Sequence, residues 1–574
     1  MQEKKLTGYP SVDKPWLKYY TQAERSTPIP TDNLYDYIWK SNKDFLSNNA
    51  LEFFNKHITY KEFFEQTDAL AKSFWAAGIR KGDIVTIIAI TSPEILYSIY
   101  ALNRIGAVCS CLYPTMSDQI IKTKVRMTNS KHIILLDLFA DKADIFKSDN
   151  NVSVYLFGFS TSMSPFGKLA FLLKKLPKTT ATTISYKQLL SMGENANPKY
   201  VENNPGDVAL IMYSGGTTGE PKGIVLSNQN ANAVSSQQNC SLLDLKREYT
   251  WQSVAAPFIT YTLIYATHLP LSYGMECKIV VYDLDIISKH IASNKNCFVS
   301  VTPMNWEKMI HSKAGKKANL SNLIDPATGA DYMSPELETE INEFFHSHRS
   351  KAVMSQGYGM TEVSSAVCRN YSTRLNKMGS VGIPFKDTLI SAFDPDTNEE
   401  LKYGETGEIC ISGPNVMIGY FDNKEATDEM IKKHADGRMW LHSGDLGHID
   451  EDGFVFIDGR LKRMFARHNG VKVFAPYIEK TIMEVDAVQR CCVVGAKEPD
   501  HPTGKAPFAF IVLKEAYLGH ENEVKSKLLD HCRKSLPEYE IPVEFRFVRE
   551  VPVTGANKVD FKALEKQAEE LCEQ

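Results

Sequence analysis

The sequence predicts a multi-domain α/β protein, and three observations carry this reading. The chain has 574 residues, too many for one hydrophobic core, so at least two domains are expected. From about residue 60 to 360, short apolar runs alternate with helix-like segments, the pattern of α/β layers with largely parallel sheets. From about residue 379 the texture changes to short strands separated by turn signals, and the last hundred residues return to mixed α+β.

In chain order, DIVTIIAI (83–90) reads as a buried strand and SPEILYSIYALNRIGA (92–107) as the helix that follows it. HIILLD, DVALIMYS (207–214), SVAAPF, KIVVYD and CFVSVTP are further buried strands. LISAFDPDTNEELKYGETGEICISG and GHIDEDGFVFIDGR join short strands through DPDTNEE and EDG turns, so a small β-barrel or β-layer is expected. RCCVVGA, PFAFIVL and EFRFVRE then read as strands, NEVKSKLLDHCRKSL and FKALEKQAEELCE as helices. SPFGKLAFLLKKLPKTT (164–180) interleaves apolar residues with Lys168, Lys174, Lys175 and Lys178. It reads as a basic amphipathic helix packed on its own domain, with weak peripheral membrane contact as the alternative.

Composition bounds the function. Charged residues are 23% and hydrophobic residues 43%, an ordinary soluble balance. The net charge of −4 argues against a general nucleic-acid binder. The eleven cysteines lack metal spacing, and Cys109/Cys111 and Cys491/Cys492 lie in apolar runs, as buried thiols do. The first residues, MQEKKLTGYPSVDKPW, contain no apolar signal region, and no apolar stretch is long enough to span a bilayer. A cytoplasmic protein is expected.

Residues 213–228, YSGGTTGEPKGIVLSN, carry the most chemistry. Gly215, Gly216, Gly219 and Gly223, the hydroxyls of Ser214, Thr217 and Thr218, and Lys222 fall within ten residues, directly after the apolar run 207–214. Glycine lets a backbone approach a phosphate and expose its N–H groups. Hydroxyls add donors and lysine a mobile charge. The alternative is a flexible loop between strand and helix. The stretch is not a Walker A, because Gly223 follows Lys222 where that motif has Ser or Thr. It resembles the phosphate-binding loop of the adenylate-forming superfamily, which holds acyl-CoA synthetases, peptide-synthetase adenylation domains and firefly luciferase.

Further segments resemble the same family in the same order. In QGYGMTE (356–362) the resemblance implies Glu362 as the Mg²⁺ ligand, Thr361 at phosphate, and Tyr358 and Gly359 beside adenine. A carboxylate near a triphosphate is unfavourable unless a cation intervenes, and magnesium favours carboxylate plus phosphate oxygens. TGAD (328–331) supplies Gly329. In WLHSGDLGHIDEDGFVFIDGR (440–460), Asp445 and Arg460 would hold the ribose hydroxyls. GRLKRMFARHNGVKVFAPYIE (459–479) resembles the interdomain hinge, with Lys462 at the hinge position, and PVTGANKVD (552–560) the loop of the catalytic lysine, Lys558. His442 reads as structural. The resemblance implies a large AMP-binding domain over 1–460, made of two α/β layered subdomains plus a β-barrel-like part from about 379. It also implies a small mobile α+β domain over 461–574.

The implied reaction has two steps. A carboxylic acid attacks the α-phosphate of ATP to give acyl-adenylate and pyrophosphate, and the thiol of CoA then takes the acyl group and releases AMP. Lys558, Lys222 and Thr217 would be the catalytic groups, and no general base is needed because the acid is already ionised near neutral pH. The acyl pocket is expected around Phe258, Ile259, Tyr261, Gly357 and Met360, with Leu263, Ile264 and Tyr265 nearby. Many acyl-CoA synthetases have a histidine where this chain has Ile259. The apolar segment holds no aspartate for an amino group, so a fatty or aryl acid is favoured over an amino acid. The alternatives are transfer to a carrier protein's phosphopantetheine, a non-catalytic nucleotide-binding relative, and a luciferase-like oxygenase.

Overall fold

The computed structural model describes residues 6–213, 221–255, 259–281, 296–469, 471–498, 501, 503–553 and 559–572. Two large sheets dominate. The first runs in the order Gly419–Tyr420, Gly223–Ser227, Val208–Tyr213, Val108–Leu112, Ile84–Ile88, His132–Leu136, Ser153–Phe157, Ile184–Ser185. From Val208–Tyr213 onward every pairing is parallel. The second sheet has nine strands, with Thr250–Ala255, Cys297–Ser300, Leu323–Thr328 and Ser355–Tyr358 in successive parallel pairings.

The two sheets share one core, which draws on Val85, Ile87, Leu210 and Met212 from one and Leu51, Trp251, Cys277 and Phe298 from the other. The helix Pro93–Arg104 is buried almost throughout its length. This explains its near-continuous apolar sequence, since a helix enclosed on all sides has no polar face to show. Tyr60–Ala76 instead has a polar side and starts at a capping box, in which Thr59 accepts from the Glu62 amide and Glu62 reaches back to the Thr59 N–H.

The region from 389 onward is a five-stranded antiparallel layer. Its order is Leu389–Phe393, Gly407–Ser412, Met439–Ile449, Ile431–Lys433, and Val455–Arg460 also pairs with Met439–Ile449. Among the described residues no pairing closes the ring, so of the two shapes expected it is the layer. The last part has its own sheet, Val488–Lys497, Lys505–Leu513 and Glu544–Phe547. Its cores lie around Ile478, Val493, Ile511 and Leu528 on one face and Val494, Phe508 and Leu564 on the other, and among the described residues Val473 is the first that is buried in them.

Two readings are revised. The alternative for the glycine-rich stretch, a loop between strand and helix, is not met by the elements that flank it: Val208–Tyr213 pairs antiparallel with Gly223–Ser227, Tyr213 opposite Gly223, and the helix Asn228–Gln237 begins only after that second strand. The run GIVLS is apolar on both faces because it lies inside the sheet, with every residue buried. The second correction concerns 164–180. Its helix covers only Pro165–Leu172 and none of its residues is buried; it meets its domain through half-buried Phe171 and leaves its other large apolar residues exposed.

Candidate functional site

The site forms where strands of the nine-stranded sheet end. The segment beginning at Ile259 follows Thr250–Ala255, Gly329 follows Leu323–Thr328, and Gly359 follows Ser355–Tyr358. Carboxyl ends of parallel strands are where open α/β sheets bind ligands. The backbones there approach closely. A Cβ on Gly329 would stand 2.9 Å from the Gly357 carbonyl oxygen, and one on Gly359 would stand 1.9 Å from that of Ser365. Gly359 therefore admits no other residue without moving the turn that presents Glu362.

Glu362 sits in the short turn Thr361–Val363 and is buried. Its Oε1 accepts from the Tyr420 hydroxyl at 3.0 Å. Burial pushes its carboxyl above the usual range; its own backbone N–H, the Tyr420 hydroxyl and the charges of Arg460 and Lys222 counter this in part. The Lys222 ammonium lies 4.8 Å from the centre of the Tyr420 ring. Tyr420 occupies this place because Gly419–Tyr420 pairs with Gly223–Ser227, beside Lys222.

Asp445 is the second centre. It lies in the long strand Met439–Ile449, opposite Arg460 in the neighbouring strand. Its Oδ2 accepts from the Tyr358 hydroxyl at 2.6 Å and its Oδ1 from Arg460 Nε at 2.7 Å. Burial, and then the Asp445 charge, drive the Tyr358 phenol well up, so it stays a donor. Arg460 is half exposed, its side chain 58% open, and it reaches Asp445 while its charge is also felt at Glu362. The two centres are thus linked through the Arg460 charge.

Of the other expected residues, Lys222 is exposed, and Thr361 is half-buried at the start of its turn. Met360 packs against the core of the antiparallel layer, a packing role the sequence did not separate from a pocket role. Ile259 and Tyr261 are half-buried, but Leu263, Ile264 and Tyr265 belong to the main core. The residues from Tyr261 to His268 form a π-helix, a geometry that recurs at functional sites. Tyr261 and Tyr265 stack with centres 5.1 Å apart, and Tyr265 accepts from Arg369 Nη1 at 2.6 Å. Arg369 is paired with buried Asp325.

Lys462 is exposed in the short turn Leu461–Arg463, directly after the layer's last strand. Its neighbour Arg463 is fixed to the last part of the chain, donating to Glu479 at 3.0 Å and stacking over Phe561. His442 pairs with Glu408 at 2.7 Å and ties two strands of the layer together, a structural role. Ser214, Gly215, Gly216, Thr217, Thr218, Gly219, Phe258 and Lys558 lie outside the described residues.

Tyr420 is the residue that sequence reasoning missed. It stands 58 positions from Glu362, and only the sheet pairing brings the two together.

Residues 39–421 match the AMP-binding enzyme family, and residues 477–558 match the C-terminal domain of AMP-binding enzymes, ending on Lys558. The chain belongs to the adenylate-forming superfamily. It is 27% identical over 561 residues to a long-chain-fatty-acid–CoA ligase of Bacillus subtilis (strain 168), covering 95% of this chain and 96% of that one. It is 27% identical over 508 residues to 4-coumarate–CoA ligase 1 of Arabidopsis thaliana, covering 86% of each. In fold, this adenylate-forming chain is similar to an anthranilate CoA ligase, AuaEII, in complex with anthranoyl-AMP. The TM-score is 0.78 at 19% identity, covering 96% of this chain and 100% of that one.

The donor set suits magnesium. A single buried carboxylate of hard oxygens fits an ion that keeps several waters and completes its shell with substrate phosphates. The nucleotide side also fits. Thr328 Oγ1 and Ser365 Oγ are buried without a hydrogen-bond partner among the described residues, and buried hydroxyls ordinarily have one.

Proposed function

We propose that the chain activates a fatty or aryl carboxylic acid with MgATP to the acyl-adenylate and passes the acyl group to CoA, releasing pyrophosphate and AMP. The observation that carries this reading is the pair of centres linked through the Arg460 charge, Tyr358–Asp445–Arg460 and Glu362–Tyr420–Lys222.

Asp445 would accept from the ribose hydroxyls, as the family resemblance implies, because an ionised carboxylate is a pure acceptor with two oxygens. The expected orientation places the α-phosphate toward Thr361 and the β- and γ-phosphates toward Lys222 and the 214–219 loop. Magnesium held by Glu362 would offset the charge that builds on the phosphates. Lys558 supplies a second positive charge at the α-phosphate during adenylation. Catalysis is then positioning plus charge stabilisation, with no proton abstraction from the acid.

The acid class rests on the segment 259–265. The carboxylate beside it, Asp325, is already held by Arg369, so it offers no partner to a substrate ammonium. An unpaired ammonium among Ile259, Tyr261 and their apolar neighbours would lose several kcal/mol of hydration. We place the domain boundary at 460/461, with Lys462 as the hinge, because Arg463 is anchored to the last part of the chain while Arg460 is anchored to Asp445. A cytoplasmic site of action fits the reading, and no helix among the described residues is long and apolar enough to cross a membrane.

The test is pyrophosphate release against a panel of fatty, aryl and amino acids, with and without CoA. The expected result is release with fatty or aryl acids and thioester only when CoA is present. Activation of free amino acids, or no release with any acid, overturns the proposal.

A further inference from the structure

We propose that the helix Pro165–Leu172 and the lysines around it form a docking surface for an anionic lipid bilayer. The three most exposed large apolar side chains among the described residues all lie here: Leu173 at 90%, Phe166 at 78% and Leu172 at 78%, with Leu169 beside them at 65%. Single exposed apolar residues are ordinary, but a contiguous group marks an interaction surface.

The helix is built to hold this group outward. Pro165 starts it, and the Ser164 hydroxyl accepts from the Gly167 N–H at 3.2 Å. Phe171 turns inward and rests on Phe159 with ring centres 5.8 Å apart, and Phe54 packs edge-on against Phe159. Asp144 fastens the far end of the segment, accepting from the Thr179 hydroxyl at 2.8 Å and the Thr180 N–H at 2.9 Å. The apolar residues between these two anchors are left open.

Charge identifies the occupant. Lys168, Lys174, Lys175 and Lys178 are all exposed, and residues 160–180 contain no Asp or Glu, in a chain whose net charge is −4. An apolar tip inside a basic collar is the pattern of helices that lie in the membrane interface. Lysines beside such a tip gain from the negative potential of anionic lipid. A second copy of this chain meeting the patch symmetrically would set the same four positive charges against each other. The inference does not depend on the activity proposed above, because none of these residues belongs to either centre.

The experiment is co-sedimentation of the full chain with vesicles of phosphatidylcholine, with and without about a third phosphatidylglycerol. Binding is expected on the anionic vesicles and should weaken as salt is raised, as charge screening requires. Leu169→Ser combined with Leu172→Ser and Leu173→Ser should abolish it. Lys168→Gln with Lys174→Gln and Lys175→Gln should lower the partition coefficient roughly tenfold or more. Both variants should melt like the parent and release pyrophosphate normally with a water-soluble acid. Absence of binding by the parent, or equal binding by the leucine variant, overturns the proposal. So does a parent dimer in sedimentation velocity that the leucine variant dissolves, since the patch would then serve a second copy.

Discussion

The Tyr358 hydroxyl donates to Oδ2 of Asp445 at 2.6 Å across 87 residues of sequence. This bond joins the end of a strand in the nine-stranded sheet to the antiparallel layer and orients the carboxylate, whose other oxygen holds Arg460 at 2.7 Å.

Asp445→Asn keeps the side chain's shape but removes its charge and turns one acceptor into a donor. The lost charge-assisted hydrogen bonds are worth about 1.5–3 kcal/mol, so the KM for ATP should rise by roughly 10–100-fold. ATP–pyrophosphate exchange measures this. An unchanged KM would remove Asp445 from the nucleotide site.

Glu362 makes a linked prediction about stability and pH. Its carboxyl is raised in the folded state, chiefly by burial, so the folded chain binds more protons than the unfolded chain between the ordinary and the raised value. Stability from this group therefore falls as pH rises through that window, and the cost is fully present above it. Glu362→Gln should raise the melting temperature at pH 7, and the gain should shrink as pH approaches the ordinary carboxylate range. The same variant should lose magnesium-dependent adenylation. Melting curves from pH 4 to 8, without nucleotide, check the sign.

Lys222 is exposed, so Lys222→Ala should leave the melting temperature close to that of the parent, within the roughly ±0.5 kcal/mol usual for surface changes. Its effect should appear as a higher KM for MgATP. A drop of many degrees in melting would make Lys222 a packing residue.

Lys558→Ala should slow acyl-adenylate formation by roughly 10²–10³-fold, the scale for one preorganised charge-stabilising donor. Thioester formation from preformed adenylate should be largely spared. Single-turnover assays of each half-reaction separate the two, and equal losses contradict the assignment.

Ile259 is half-buried just before the π-helix Tyr261–His268. Ile259→Ala should shift kcat/KM toward bulkier acids across a chain-length series. An identical profile in both proteins would take residue 259 out of the pocket.

By itself, the sequence determined the α/β class, the turn-rich β layer and the individual chemical groups. These are local properties: a glycine-rich loop, a buried strand and an exposed lysine each follow from a few adjacent residues. Asp445, Arg460, Tyr358 and Glu362 were singled out through the resemblance of short motifs to the adenylate-forming family. Tertiary structure decided how the groups meet. Tyr420 reaches Glu362 only because Gly419–Tyr420 joins the sheet edge beside Gly223–Ser227, and pairing between distant strands leaves no spacing signal. It also decided that GIVLS is a strand before the helix, since a buried apolar run fits either form. Finally, it decided the fate of the segment around Leu169 and Leu172. Periodicity shows that these residues are apolar and lie among lysines, but only the positions of all other residues determine whether anything covers them, and they stand uncovered.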